Sequence, residues 1–357
     1  MRIAIDLSSL YGRNITGVEI YGIDIYKILR KSKHTIIPIF HVENSIDDNF
    51  EAYIIPKCNR IWLENVALSR ALRKIKADII IFPIFPPPVD IYYGCHSKIY
   101  QTIHDTVFLR YRETQNFAAK YYYGLKQRLA IKKLNGIITI SETVKKQLEE
   151  YTSLPIINCG NIIAPEYRNC QRQAFVEAIE RWNLEPNTYF ISVSTIEPRK
   201  NFKYLIKVLK PILEKRKMKL VLVGRKGWGK DDELQQLIEK MGSLLVFPGF
   251  VEFKQLVSLY HYAYAFALLS LDEGFGRTPY EAVACGCRRI ILSDIDIFHE
   301  TFGDNACFLP LDDEREATNI LGKDNLPLVS EKMEVPFDVL EERINNLFFE
   351  KCDEKRT

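Results

Sequence analysis

The chain has 357 residues, with 49 Lys and Arg against 46 Asp and Glu, and its net charge of +3 is too small to indicate nucleic acid as the main partner. Hydrophobic residues make up 47% and charged residues 27%, which excludes a disordered chain. No apolar run is long enough to predict a transmembrane helix, and Asp6 comes too early for a signal peptide. The eight cysteines have no C-x-x-C spacing, so we expect reduced thiols and a cytoplasmic protein.

Short apolar runs alternate with amphipathic helical patterns along the chain. The first series of predicted strands is Arg2–Leu7, Thr35–Phe40, Asp78–Phe82, Lys98–Ile103, Gly136–Ile140 and Ile156–Asn158. The second series is Tyr189–Ser194, Lys219–Val223, Leu244–Phe247, Ala265–Leu269, Arg289–Leu292 and Cys307–Leu309. The helical patterns between strands include Glu142–Tyr151, Phe202–Lys215 and Asp231–Met241. Runs that are apolar on both faces suit parallel strands covered by helices, so this alternation predicts an α/β fold.

The alternation starts again after a polar segment, Ala164–Trp182. We therefore expect two Rossmann-like domains, at residues 1–168 and 183–335. Residues 336–357 form a third segment that reads as an amphipathic helix, with Leu340 and Ile344 on its apolar face.

Two acids, Glu273 and Glu281, are separated by seven residues around a glycine-containing turn in the stretch from Leu271 to Gly286. The pattern predicts a helix with Thr278 as N-cap, Pro279 as first residue and Gly286 just past its end. A helix N-terminus preceded by glycines suits a diphosphate, because backbone amides can approach the ligand closely. A simpler alternative is a capping box in which Glu281 only closes the helix end.

Glu273 and Glu281, within E-G-F-G-R-T-P-Y-E-A, resemble the E-x7-E motif of retaining glycosyltransferases of family four, which have the GT-B fold. Similar segments follow in the same order as in that family: Thr16–Tyr21, Thr102–Asp105, Ile137–Glu142, Ile191–Asn201, Leu220–Trp228, Phe247–Val251 and Ser293–Glu300. The resemblance implies two Rossmann-like domains whose parallel sheets face each other across a cleft. The N-terminal domain would take the acceptor, the C-terminal domain the donor, and the last helix would cross back to the N-terminal domain.

The resemblance also implies roles for charged residues of the second domain. Glu281 would hold the ribose hydroxyls of a nucleoside-diphosphate sugar, and Glu273 would contact the donor sugar. Lys200 and Arg199 would neutralise the diphosphate. Many family members have an arginine where this chain has Thr195, and Arg199 replaces that charge in our interpretation.

Backbone amides around Gly274, Phe275 and Gly276 would assist at the donor. Arg277 and Thr278 stand where the family motif has an apolar residue and a proline, and Arg277 offers a further phosphate ligand.

The remaining family positions concern the base and the acceptor. Phe250 and Val251 would lie near the nucleotide base. In the first domain, Gly17 would sit in a loop and bring its backbone to the diphosphate. His104 would lie near the donor sugar and acceptor, oriented by Asp105.

The segment Arg110–Lys133 has seven basic residues against one acid and contains Tyr121, Tyr122 and Tyr123. A basic, aromatic helix can lie on an anionic membrane surface, as the resemblance implies for enzymes that glycosylate lipid carriers. The alternative is a solvated helix face with a tyrosine-rich packing edge.

Two further motifs carry less weight. The run Gly224–Asp231 nearly matches a P-loop, but Asp231 replaces the hydroxyl residue that would hold magnesium. Asp294 and Asp296 resemble a metal-binding D-x-D motif, which we interpret as a loop. We therefore expect no metal and no cofactor beyond the sugar donor.

The resemblance implies a metal-independent, retaining hexosyltransferase that moves a sugar from a nucleoside-diphosphate sugar to a glycan, lipid or other hydroxyl acceptor in polysaccharide biosynthesis. A nucleotide-sugar epimerase of GT-B fold and a non-catalytic nucleotide-sugar or glycan-binding protein are the alternatives. We expect a cytoplasmic protein, with peripheral contact to anionic membrane through Arg110–Lys133.

Overall fold

The computed structural model describes residues 1–10, 16–42, 52–92, 95–114, 118–168, 176–177, 180–225, 232–323 and 325–350. The P-loop-like run beyond Arg225, residues 115–117 of the basic segment, Cys170 and Cys352 lie outside this part. The other six cysteines are free thiols. Within the same part, no helix combines the length and the hydropathy needed to cross a bilayer.

Contacts divide the described chain into two domains. The first comprises Met1–Arg110, Phe117–Ile162 and Asp338–Thr357, and the second comprises Tyr111–Asn116 and Ile163–Phe337.

The first domain is built on a parallel sheet of seven strands. In chain order these are β1 Arg2–Asp6, β2 Thr35–His41, β3 Tyr53–Ile55, β4 Ile79–Phe82, β5 Lys98–Ile103, β6 Gly136–Thr139 and β7 Ile156–Asn158. Their order across the sheet is β3-β2-β1-β4-β5-β6-β7. Its α-helices are Gly17–Arg30, Arg60–Trp62, Leu68–Ile75, Val107–Arg110, Gly124–Ile131, Glu142–Glu149 and Val339–Asn345. The π-helical turns in the described part of this domain are Leu63–Ala67, Ala118–Tyr123 and Asn346–Glu350.

The second domain has a parallel sheet of six strands. These are β8 Tyr189–Val193, β9 Lys219–Val223, β10 Leu245–Gly249, β11 Ala265–Leu268, β12 Ile290–Ser293 and β13 Cys307–Leu309, in the order β10-β9-β8-β11-β12-β13. Its α-helices are Phe202–Arg216, Asp232–Met241, Phe253–Tyr262, Arg277–Ala284, Asp296–Phe302 and Glu314–Gly322. Single turns of 3-10 helix in the two domains are Ser8–Leu10, Val89–Tyr92, Arg112–Thr114, Pro165–Arg168, Pro198–Lys200, Gly242–Leu244 and Gly303–Asn305.

The central strands are buried on both faces, as parallel strands covered by helices must be, whereas the edge strands β3, β7 and β10 are only partly buried. Ile3, Ala4 and Ile5 of β1 are fully buried, and so are Phe190 and Ile191 of β8. The predicted α/β fold with two Rossmann-like domains is confirmed. One strand was not predicted: β3, a three-residue strand at the edge of the first sheet.

Each sheet has one topological switch point. In the first, the chain runs from β1 outward to β2 and β3, then returns to place β4 on the other side of β1. In the second, it runs from β8 to β9 and β10, then places β11 on the other side of β8. The loops that leave the carboxyl ends of β1 and β4, or of β8 and β11, diverge there, and α/β proteins bind ligands in such crevices.

The helix Val339–Asn345 packs on the first domain. Leu340 and Ile344 are buried, and Phe348 meets Tyr100 edge-to-face with ring centroids 5.3 Å apart. The buried apolar face, rather than surface ion pairs, holds this segment in place.

Candidate active site

Charged residues gather at the switch point of the second sheet. The loop after β8 forms the 3-10 turn Pro198–Lys200, and the loop after β11 carries Glu273. The Leu271 amide donates to the Arg199 carbonyl at 2.8 Å and ties the two loops together. The sequence-predicted Arg199, Lys200 and Glu273 are thereby brought into contact.

Glu273 accepts hydrogen bonds on both carboxylate oxygens. Lys200 Nζ lies 2.5 Å from Oε1, which also accepts from Ser270 Oγ at 2.7 Å. Arg199 Nη1 donates to Oε2 at 3.2 Å. Burial alone would raise the pKa of this carboxyl, but Lys200 and Arg199 outweigh it and lower the pKa to about 2. Glu273 is therefore a carboxylate at neutral pH despite its burial.

Arg199 is fixed by a second carboxylate. Its Nε and Nη2 donate to Glu197 Oε1 at 3.1 and 2.8 Å, and its Nη1 also donates to the Asp272 carbonyl at 2.7 Å. We call Glu197, Arg199, Lys200 and Glu273 the Glu273 cluster. Its two cations and two anions balance, so both basic side chains are held in place before any ligand arrives.

The helix Arg277–Ala284 begins four residues after Glu273 of this cluster. Its N-cap is Gly276, with φ +79°. The prediction of Thr278 as N-cap and Pro279 as first residue is wrong, because glycine alone takes this left-handed conformation cheaply. A Cβ at Gly276 would also come within 2.8 Å of the Phe298 ring. The amides of Gly276, Arg277 and Thr278 lie outside the helical hydrogen-bond ladder, as first-turn amides do.

The end of this helix is as predicted. Gly286, with φ +93°, donates from its amide to the Val283 carbonyl at 2.8 Å, and the Cys287 amide donates to Ala282 at 2.9 Å. This pair of bonds is a Schellman motif, which satisfies the last carbonyls of the helix.

Glu281 is buried in a different environment from Glu273. Tyr260 donates its hydroxyl to Oε2 at 3.3 Å, and Arg277 Nε lies 3.9 Å from Oε1. Burial raises the pKa of Glu281, and hydrogen bonds from Tyr167 and Tyr260 together with Arg277 offset only part of that rise. The contacts therefore differ from those of a capping box with Thr278.

Aromatic residues support the turn between the two glutamates. Phe275 is buried and stacks on Tyr280, with ring centroids 5.3 Å apart. Tyr280 donates its hydroxyl to the Thr301 carbonyl at 2.7 Å. Phe275 and its buried neighbour Gly274 thus belong to a packed turn that presents backbone at the helix start.

The other predicted residues of the second domain lie on neighbouring loops. Thr195 is half-buried beside Gly224, whose own φ is +148°. Phe250 is 75% exposed, whereas Val251 is buried. Both follow β10, where the Gly249 carbonyl accepts from the Gly224 amide at 2.9 Å.

Two predicted residues lie in the first domain. Gly17 is the first residue of the helix Gly17–Arg30 and not a loop residue, because Thr16 caps that helix with Glu19. His104 follows β5, with Nε2 2.7 Å from the Pro83 carbonyl oxygen and its ring edge-to-face with Tyr21.

The charged groups around His104 and the D-x-D motif have ordinary structural partners. Asp105 accepts from the Val107 amide at 3.2 Å. Asp294 pairs with His299 at 2.5 Å, and Asp296 is the first residue of a helix. Over the described residues, no group of three or more His, Cys, Asp or Glu side chains is arranged to hold a metal.

Sequence reasoning missed four residues of the site, Glu197, Ser270, Tyr260 and Tyr167. Glu197 stands only two residues before Arg199, and that spacing was a usable signal for an ion pair. Tyr260 and Tyr167 are remote from Glu281 in sequence, and no local pattern marks them.

Residues 175–317 match the family "Glycosyl transferases group 1". The chain is 29% identical over 216 residues to the O-antigen chain mannosyltransferase RfbU of Salmonella typhimurium, covering 60% of this chain and 57% of RfbU. It is 28% identical over 280 residues to the serotype-specific mannosyltransferase WbdA of Escherichia coli, covering 70% of this chain and 34% of WbdA. The chain therefore spans between a third and three fifths of the length of these relatives.

Solved structures agree on the fold. HepE of Anabaena, in complex with UDP and glucose, matches with a TM-score of 0.68 at 14% identity, over 97% of this chain and 94% of HepE. Sucrose-phosphate synthase of Thermosynechococcus elongatus matches with a TM-score of 0.69 at 14% identity, over 99% and 96% of the two chains. Residues 175–317 therefore resemble the glycosyl transferases group 1 family, and the two domains of the chain have the GT-B fold.

Proposed function

We propose that the chain is a retaining, metal-independent hexosyltransferase that moves a sugar from a nucleoside-diphosphate sugar to a glycan or lipid-linked acceptor. The observation that carries the proposal is the Glu273 cluster at the switch point of the second sheet. There Lys200 and Arg199 are held by carboxylates in the loops that precede a helix N-terminus. The two relatives are an O-antigen chain mannosyltransferase and a serotype-specific mannosyltransferase, so mannose is the first donor sugar to test.

In the proposed reaction, the bond between the anomeric carbon and the diphosphate oxygen breaks. The acceptor oxygen bonds to the same face of that carbon, and its proton passes to the leaving diphosphate. Negative charge grows on the diphosphate as the bond breaks. Lys200, Arg199 and the first amides of the Arg277–Ala284 helix would stabilise that charge, which removes the need for a metal.

Glu273 fits the role of a residue that holds Lys200 and Arg199 in place. Lys200 keeps further N–H donors beyond the one given to Glu273, because an ammonium has three. A carboxylate offers about four lone-pair sites, and the three donors on Glu273 leave room for one hydroxyl of the donor sugar. Glu281 would accept from the ribose hydroxyls, with Arg277 and Thr278 near the phosphates.

The remaining assignments are part of the same proposal. The exposed ring of Phe250 and the backbone of Val251 would contact the nucleotide base. Thr195 would lie near the diphosphate, and His104 would lie near the acceptor. The Gly17 amide lies at an exposed helix N-terminus, which suits contact with a phosphate.

We assign the domains in the order that the resemblance implies. Residues 183–335 would take the donor, residues 1–168 would take the acceptor, and the helix in 336–357 would belong to the acceptor side. Its packing on the first domain supports this assignment.

We infer peripheral contact with an anionic membrane through the helix Gly124–Ile131 and its flank. Leu125 and Leu129 are 60% and 42% exposed and lie one helical turn apart. Arg128, Lys132 and Lys133 are exposed beside them. Exposed leucines among lysines and arginines can insert into the headgroup region of an anionic bilayer. Free thiols support a cytoplasmic location.

Sedimentation with vesicles tests this contact. The intact chain should sediment with vesicles of phosphatidylglycerol and not with phosphatidylcholine alone, and the double variant Leu125→Ser, Leu129→Ser should lose most of the bound fraction. Leu328→Ser, at a leucine 53% exposed in the second domain, is the matched control. Equal binding by all three proteins would refute the contact.

The function is tested with UDP-, GDP-, dTDP- and ADP-sugars in a thermal-shift panel, with and without a chelator, followed by transfer to a range of glycan acceptors. A bound donor raises the melting temperature by mass action, and we expect a chelator-insensitive shift. Conversion of the donor to an epimer without acceptor would instead indicate an epimerase. Donor binding without turnover on any acceptor would indicate a binding protein.

A further inference from the structure

A cavity of about 320 Å³ lies at the switch point of the first sheet. Asp6 and Ser9, which follow β1, line one side, and Phe85 and Pro86, which follow β4, line another. Glu64, on the helical segment after β3, contributes to the polar wall. The volume is in the range of small-molecule sites, about 300 to 1,000 Å³, and the position is where α/β sheets bind ligands.

Glu64 lines this first-domain cavity, and one of its carboxylate oxygens is hydrogen-bonded to the described residues while the other is not. Its Oε1 accepts from Arg60 Nε and from Tyr123 Oη, both at 2.6 Å. Its Oε2 is buried and has no hydrogen-bond partner among the described residues, and Lys126 Nζ lies 3.9 Å away. The buried Oγ of Ser9 also has no partner in the described chain. Buried acceptors of this kind are rare, because leaving them unpaired costs free energy.

The charges that line the cavity balance. Asp6 and Glu64 oppose Arg60 and Lys126, and Lys126 is only 3% exposed. His41 adds no positive charge at neutral pH, because desolvation lowers its pKa and its Nε2 accepts from the Cys58 amide. A phosphate would face two carboxylates there, and an apolar ligand would leave Glu64 Oε2 and Ser9 Oγ unsatisfied. The lining therefore suits a neutral ligand with hydroxyl donors.

Two helical irregularities place the polar groups of this wall. Glu64 lies in the π turn Leu63–Ala67, and Tyr123 ends the π turn Ala118–Tyr123. The two turns are joined by the Tyr123–Glu64 bond and by a bond of 2.6 Å from Asn65 Nδ2 to Tyr122 Oη. Such turns are uncommon and occur often at functional sites, where they redirect a side chain.

We propose that the first-domain cavity binds one neutral pyranose ring, with its hydroxyls donating to Glu64 Oε2 and Ser9 Oγ and its apolar face against Phe85 and Pro86. The identification of that ring as the terminal sugar of the acceptor glycan rests on the proposed function. The proposal that the cavity binds a pyranose ring does not depend on that function.

Titration of the intact protein with the methyl α-pyranosides of mannose, glucose and rhamnose, followed by NMR, tests the site. Ser9→Ala removes an unpaired hydroxyl, so it should leave the melting temperature unchanged and weaken binding about threefold to tenfold. Ser153→Ala, at an exposed serine of the same domain, is the control and should bind like wild type. Failure of all three glycosides to bind, or equal binding by both variants, would overturn the proposal.

Glu64→Gln replaces the open acceptor by an amide and should weaken binding at least about tenfold. Glu149→Gln removes an exposed carboxylate of the same domain and is its control. In transfer assays Glu64→Gln should raise KM for the acceptor and leave donor affinity unchanged. If glycoside binding depends on Glu64 but the protein has no transfer activity, the proposed function is contradicted and the sugar-binding site stands. Tighter binding of inorganic phosphate than of any glycoside would overturn the site.

Discussion

The two switch points both bring a buried glutamate near a lysine, but they satisfy the glutamate to different degrees. Glu273 accepts three hydrogen bonds, with Lys200 at 2.5 Å, whereas Glu64 Oε2 has no hydrogen-bond partner in the described part and Lys126 lies at 3.9 Å. The first arrangement holds two cations in place, which in our proposal meet the diphosphate of the donor. The second leaves one acceptor atom without a partner, which in our proposal meets a sugar hydroxyl. Similar residue types therefore suit two kinds of ligand, and the difference lies in which polar atoms remain unpaired.

The largest effect is expected from Lys200→Met. It removes the cation nearest to Glu273 and the proposed partner of the leaving diphosphate, so kcat/KM for transfer should fall about a hundredfold or more. Lys203→Met, at a half-exposed lysine that pairs with Glu233, should stay within about twofold of wild type. Steady-state kinetics measures both, and a Lys200→Met enzyme of normal rate would exclude an anion-binding role for the Glu273 cluster.

An acid titration of stability contrasts the two glutamates of the motif. The pKa of Glu273 is lowered from 4.5 to about 2, so its ionised form stabilises the folded state above about pH 4.5 and that contribution is lost as pH falls toward 2. The melting-temperature gap between wild type and Glu273→Gln should shrink by several degrees below about pH 4.5.

Glu281→Gln should behave in the opposite sense, because burial raises the pKa of Glu281. Protonated Glu281 stabilises the folded state at low pH, and that contribution is lost as pH rises above about 4.5. The melting temperature of Glu281→Gln should therefore rise relative to that of wild type as pH increases. Parallel pH profiles for Glu273→Gln, Glu281→Gln and wild type would show that the two environments do not differ.

Glu281→Gln also tests donor recognition. If Glu281 accepts from the ribose hydroxyls, the Kd of the donor should rise about tenfold, which is about 1.4 kcal/mol. Glu331→Gln, at a side chain 85% exposed, is the control. Calorimetry on the best donor of the thermal-shift panel provides the Kd, and an unchanged value would limit Glu281 to packing.

The smallest effect is expected at the first switch point. Tyr123→Phe removes one of the two donors to Glu64 Oε1 and should cost about 1 kcal/mol of stability, or about 2 to 4 °C in melting temperature. Tyr121→Phe, at a ring 53% exposed, should cost nothing measurable. Equal melting temperatures for the two variants would show that the Tyr123 hydroxyl does not support Glu64.

The sheets and the second-domain motif could be predicted from sequence because their signals are local. Buried parallel strands are continuous apolar runs, and twelve of the thirteen strands of the described chain follow from those runs. The E-x7-E spacing and the neighbouring Arg199 and Lys200 are local in the same sense. The helix start was predicted wrongly because threonine is a preferred N-cap residue. The sequence therefore favoured Thr278 over the actual N-cap, Gly276.

The first-domain cavity could not be predicted in this way. Glu64 and Lys126 are 62 residues apart, and Asp6 precedes both. The local sequence marks neither Glu64 nor Lys126 as buried, because only tertiary packing brings the two side chains together. Part of the basic segment Arg110–Lys133 shows the same effect, since Lys126 is buried while Arg128 is exposed. The local sequence pattern does not indicate which charged residues of a helix face the protein interior.

The π turn Leu63–Ala67 makes this cavity sensitive to chain length. A π turn holds one residue more than a regular α-helical turn, so deletion of one residue there would remove the bulge and restore an α-helix. Glu64 and the apolar face that begins at Leu68 could then no longer both keep their present directions. In our proposal, a single-codon deletion at this turn would therefore alter which sugar the first-domain cavity accepts, with every strand unchanged.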